Sequence, residues 1–114
     1  MKTQRRIDVT VYFTEGCPNA EPTVELVRRT LMRTDAEALV HTIQVDDINQ
    51  AERFHFLGSP SVQINGRDIE TARRKDAPFF GCRLYWSNGT MTGSPTAQMI
   101  LDGIAEYDRT KSAE

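Results

Sequence analysis

The sequence predicts one α/β domain with the element order β-α-β-α-β-β-α. Three observations carry that expectation: an apolar run of period two passes directly into one of helical period, the succession recurs, and an Asn-Gly pair then joins two short runs ahead of a last amphipathic stretch.

The first strand comes from Ile7, Val9, Val11 and Phe13, which alternate with Asp8, Thr10 and Tyr12. After Gly16 the spacing changes, and Ala20, Val24, Val27 and Leu31 recur at steps of four, three and four as the apolar face of a helix ending near Arg33. Two starts fit that helix. Asn19 can cap it with Pro22 at the third helical position, or Pro18 can open it with an irregular turn at Pro22. Leu39 to Asp46 reads as the second strand, and Asp47 with Gln50 three residues on resembles a capping box opening a short helix through about His55. Ser61–Ile64 and Arg67–Glu70, joined by Asn65-Gly66, predict antiparallel third and fourth strands in a hairpin.

Residues 71–93 show no sustained period and read as an insertion, with a small hairpin turning at Asn88-Gly89 inside it. For the last helix, Ser94 is a suitable N-cap and Pro95 a suitable first residue, and Ala97, Ile100, Leu101 and Ile104 form the buried stripe. It is expected to end near Tyr107, leaving "DRTKSAE" as a loose tail.

At 114 residues the chain can bury about two-thirds of its unfolded surface in a single core. With 39% hydrophobic and 26% charged residues and a formal charge of -2, it has the composition of a globular protein with no general pull toward nucleic acid or anionic membrane. The basic start "MKTQRR" leads into an alternating segment, not the continuous apolar core of an export signal, and no run approaches a membrane span. Two widely separated cysteines are not a secreted disulfide framework, so a reducing, cytoplasmic setting is expected.

Chemistry centres on "FTEGCPNAEP", Phe13 to Pro22. Cys17 follows a strand and precedes a helix, so its sulfur is expected near unpaired backbone N–H groups and the positive end of the helix dipole, an environment that suits a nucleophilic sulfur. The competing reading is a buried small hydrophobe. "GSPSV", Gly58 to Val62, puts Pro60 between a helix and a strand, where a proline can be structurally required. Cys82 is the other thiol. If the fourth strand runs antiparallel to the third, the chain returns at Glu70 to the sheet end holding Cys17 and Pro60. The residues up to Cys82, at about 3.3 Å each, can then bring that thiol over the site; the alternative is that Cys82 starts a strand with its side chain in the core. Two thiols so placed would suit a redox disulfide and equally a soft metal ion such as Hg(II), Cu(I) or Zn(II), though without a His or carboxylate cluster a structural zinc site is disfavoured.

Taken together, these features resemble the thioredoxin superfamily: strand, cysteine-proline turn, helix, strand, helix, proline-led strand, Asn-Gly hairpin and closing helix, over about residues 7–70 and 94–107. "SPSVQINGRDI" resembles the "VPxxFINGxxIGG" segment of glutaredoxins. "TEGCPN", "GSPS" and "CRLY" are similar to the "FEGCPN", "GSPT" and "CRxY" of small bacterial thioredoxin-like proteins sometimes labelled alkylmercury lyase. The resemblance implies a mixed four-stranded sheet flanked by helices, with the insertion before the last helix. It makes Cys17 the attacking thiol and Pro60 the cis-proline. Pro18, Ser59 and Pro60 would bind substrate, Ser59 presenting its backbone to an extended chain. Ala20 stands where a second active-site cysteine would be, so the mixed disulfide would be resolved by Cys82, a protein thiol or glutathione as co-substrate, with no bound cofactor. The implied partners are protein or small-molecule thiols and disulfides; the rival reading is soft-metal binding through Cys17 and Cys82 without turnover.

His41 and His55 read as surface or partly packed residues. Arg67, Arg73, Arg74 and Lys75 form a basic cluster, either a solvated loop or a seat for an anionic thiol. Phe79, Phe80, Tyr85 and Trp86 either close a small satellite cluster or give the site an apolar wall.

Overall fold

The computed structural model describes residues 6–113, with side chains as far as Tyr107; residues 1–5 of the basic amino end and Glu114 of the expected tail lie outside the described residues. The alternating run forms β1 (Arg6–Phe13). Ile7, Val9 and Val11 are fully buried on one face, while Tyr12 joins Val45, Ala51 and Phe56 in a second, smaller core on the other.

The helical period becomes α1 (Ala20–Leu31), with Asn19 just before the first helical residue and Pro22 at the third. Asn19 makes no side-chain capping bond. Its amide is turned against Gly93 instead, where a side chain would collide with it.

β2 (Glu37–Gln44) starts and stops two residues earlier than Leu39–Asp46. Its bounds are set by its neighbour: the parallel ladder runs unbroken from Arg6 opposite Glu37 to Phe13 opposite Gln44 and ends where β1 ends. In α2 (Ile48–Phe54), Asp47 accepts the Gln50 N–H at 2.9 Å. The Gln50 side chain accepts from Asp46, not from Asp47, so the capping box is shifted by one residue.

A three-residue strand, β3 (Leu57–Ser59), precedes the predicted hairpin of β4 (Ser61–Ile64) and β5 (Arg67–Asp68). Asn65 and Gly66 both have positive φ, 50° and 84°, as a tight hairpin turn requires. β5 is shorter than expected because the Asp68 carboxylate accepts the Glu70 N–H at 2.9 Å and turns the chain out of the ladder. The main sheet has the order β2-β1-β4-β5, with β1 parallel to β2 and antiparallel to β4, and β4 antiparallel to β5.

The expected insertion contains a 3₁₀ turn at Thr71–Arg73, then β6 (Phe79–Cys82) parallel to β3, then the small hairpin of β7 (Tyr85–Ser87) and β8 (Thr90–Thr92) turning at Asn88-Gly89. α3 (Ala97–Ala113) differs from expectation at both ends. Thr96, not Ser94, supplies the cap, its hydroxyl accepting the Met99 N–H at 3.1 Å. At the other end the helix continues past Tyr107 through most of "DRTKSAE", which holds no glycine or proline to stop it. Val27 and Leu31 of α1 and Ile100 and Ile104 of α3 pack on one face of the sheet with Ile7, Val9 and Val11; α2 contributes Ala51 to the other face. Among the described residues no helix is long and apolar enough to cross a membrane.

Candidate functional site

Cys17 sits in two successive turns. Its N–H donates to Thr14 O at 3.2 Å across Gly16, whose φ is 77°, and its carbonyl accepts the Ala20 N–H at 3.3 Å. The helix proper begins only with Asn19, whose carbonyl accepts the Thr23 N–H, so Cys17 precedes the first turn of α1 and is not part of it. The thiol is free and half-buried, and Pro18 beside it is exposed.

Ser59 is the meeting point of the positions that the sequence singles out. Its hydroxyl accepts the Thr14 N–H at 3.0 Å, which ties the Cys17 turn to the end of β3. In the ladder between β3 and β6, Ser59 is the register partner of Cys82, and its carbonyl accepts the Arg83 N–H at 3.0 Å. The Ser59–Pro60 bond is cis.

One expectation needs correction here, and the alternative reading of Cys82 falls away. Ser59 does not hold its carbonyl open for an incoming chain, because the insertion occupies it. Cys82 does not start a strand facing the core; it ends β6 as an exposed free thiol.

The residue that holds this arrangement is Arg83, which sequence reasoning passed over. It is 2% exposed, and its guanidinium donates to both Asp68 oxygens at 2.8 Å, to Glu70 Oε1 at 2.8 Å and to Ser61 Oγ at 3.0 Å. The guanidinium carbon also lies 4.4 Å from the Tyr85 ring centroid. Burial works against its charge, but the hydrogen bonds to Asp68 and Glu70 outweigh that and raise its pKa. The Tyr85 phenol, buried and donating to Pro60 O at 2.6 Å, has its own pKa raised chiefly by that burial. The available signal was the quoted "CRLY": Arg83 and Tyr85 clamp the two sides of Pro60 while Cys82 stays outside.

His41 Nε2 lies 3.1 Å from Asp8 Oδ1 on the surface, and His55 caps α2 with its Nε2 2.8 Å from Arg74 O. In the basic cluster Arg74 is held bidentately by Glu106 at 2.7 Å and Arg73 pairs with Glu70 and Asp76, while Arg67 and Lys75 are exposed. Of the four aromatics, only Tyr85 is buried; Phe79, Phe80 and Trp86 are exposed, so no closed satellite cluster forms. Among the described residues no group of three or more His, Cys, Asp or Glu side chains is arranged to hold a metal ion. No protein-family model, no curated protein and no solved structure matches the chain.

Proposed function

We propose that the chain is a thioredoxin-like thiol–disulfide oxidoreductase in which Cys17 is the attacking sulfur and Cys82, or an external thiol such as glutathione, resolves the product. The observation that carries this reading is Ser59, which is bonded to the Cys17 turn through its hydroxyl and paired with Cys82 through its backbone. The resemblance makes the backbone of Ser59 the place where substrate pairs. Here β6 takes that place, so Cys82 stands where a substrate sulfur would. The mixed four-stranded sheet, with an insertion before the last helix, supports the thioredoxin-like architecture.

The Cys17 thiolate attacks one sulfur of a disulfide; a new S–S bond forms, the old one breaks, and the leaving thiolate takes up a proton. A second thiolate, from Cys82 or an external thiol, then attacks Cys17 Sγ and breaks its bond to the substrate sulfur. The substrate departs as its second thiol, and two electrons have passed from protein or external thiols to the substrate. An external thiol must reduce the resulting disulfide before the next turn. Exposed Phe79, Phe80 and Trp86, in the same segment as Cys82, would supply an apolar wall to a site that takes polypeptide disulfides.

Cys17→Ser is expected to abolish reduction of a protein or small-molecule disulfide; activity surviving in that variant sinks the reading. Mass spectrometry of the oxidised protein is expected to show Cys17 joined to Cys82, whereas a glutathione adduct at Cys17 alone assigns resolution to the external thiol. Two free thiols on segments that both attach to Ser59 also favour a second reading, soft-metal binding without turnover. Titration with Hg(II) or Cu(I) separates the two: one tightly held ion per chain together with no reductase activity selects the carrier.

A further inference from the structure

Away from the thiols, β2 forms the edge of the main sheet. It runs eight residues in unbroken register with β1 and contains no lysine, proline or bulge. Of the devices that usually blunt a strand edge, β2 has only the charge of Glu37 at its first position. α1 covers this strand only in part. A groove of about 680 Å³ opens beside Thr42 between Phe13, Ala20, Pro22 and Val24, and a second of about 380 Å³ lies between Leu31 and Met32 on the helix and Ala38 and Val40 on the strand.

The groove wall contributed by α1 and its C-cap residue carries Glu21, Glu25, Arg28 and Met32, at steps of four, three and four. The three charged side chains are exposed, and among the described residues none of them is in an ion pair. Met32 is 84% exposed.

This stripe complements itself when reversed. Laid antiparallel on a second copy, position 25 meets 28 and position 21 meets 32, so Glu25 of each chain faces Arg28 of the other and Met32 enters the larger groove of its neighbour. A parallel arrangement would instead set like charges opposite one another. β2 accepts the same operation. Opposite side chains of an antiparallel pair share a face, so the twofold axis must pass through a residue. Ala38, Val40 and Thr42 face the groove and centre on Val40, which opposes Ala38 to Thr42 of the other copy. Helix and strand therefore call for one axis, since Thr42 lies with Ala20–Glu25 in one groove and Ala38 with Met32 in the other.

We infer that the chain forms a twofold dimer through β2 and α1, joining two four-stranded sheets edge to edge with Glu25–Arg28 pairs across the axis. The inference is independent of the thiol chemistry. Sedimentation of the whole chain in reducing buffer is expected to give twice 12.9 kDa. Glu25→Arg and Arg28→Glu are each expected to weaken dimerisation by at least about tenfold, and the charge-swapped double variant to restore it. Circular dichroism of all three is expected to match the parent, because both sites are exposed. A parent chain that stays monomeric at every concentration overturns the inference. So does a dimer that ignores both single reversals, or one lost on Cys17→Ser or Cys82→Ser.

Discussion

At Arg83 a guanidinium is held against two carboxylates with almost no access to water. Such a pair is costly to desolvate, and its worth lies in what happens when one member is lost. Arg83→Met leaves Asp68 buried without its partner and is expected to cost about 3–5 kcal/mol in urea denaturation. Adding Asp68→Leu removes the stranded charge and should recover much of the loss; a double variant no better than the single one would show that the pair is not its source. Tyr85 adds a pH signature. Its folded-state pKa is raised above the ordinary 10.0, so the stability it contributes is complete below pH 10 and is lost as pH climbs toward the raised value. The thermal midpoint is therefore expected to fall above pH 10. Tyr85→Phe should flatten that fall, though not abolish it because Tyr12 is shifted in the same direction, and should cost about 1 kcal/mol at neutral pH through the lost bond to Pro60 O.

Between elements, the close approach of β3 to the insertion depends on Gly58. Its φ is 106°, and a Cβ there would lie 2.9 Å from Arg83 Cβ. Gly58→Ala meets both backbone strain and a collision and is expected to cost about 2–3 kcal/mol. Gly89→Ala, at φ 77° with nothing within 4 Å, meets the strain alone and should cost about 1 kcal/mol. Equal losses in thermal melts would remove the collision from the account. The same pair of elements marks where sequence reading stops. β1, α1, α2 and the Asn65-Gly66 hairpin could be read because each writes its period or turn into consecutive residues. Leu57–Ser59 is too short to show alternation, and its partner Phe79–Cys82 is joined to it by parallel pairing across nineteen intervening residues that include the β4–β5 hairpin. Arg83 was hidden for a different reason: a single arginine between Cys82 and Leu84 writes no period or turn, and only the fold brings Asp68 and Glu70 to it. Cys17, Ser59, Pro60 and Cys82 were nominated from local pattern, but the role of Ser59 as their junction is a tertiary fact.

Across the whole molecule, stability is expected to be uneven. β1 and β4 are central strands with buried residues on their faces, and their ladder continues into both neighbours. The segment from Phe79 to Thr92 has mostly exposed side chains and is fastened through the β3–β6 ladder, the Arg83 cluster, the Tyr85 bond to Pro60 O and the Arg73 bond to Leu84 O. Such a segment should open by local unfolding without loss of the main core. Native-state hydrogen exchange is expected to show the amides of residues 79–92 less protected than those of β1 and β4. In Arg83→Met, protection should fall further in residues 79–92 than in the main sheet, and capture of the proposed Cys17–Cys82 disulfide should fall with it, because Cys82 would no longer be held beside Ser59. Uniform loss of protection would instead mean that the insertion and the sheet unfold as one unit. In that case the arginine cluster would contribute global stability and not the local placement of a thiol.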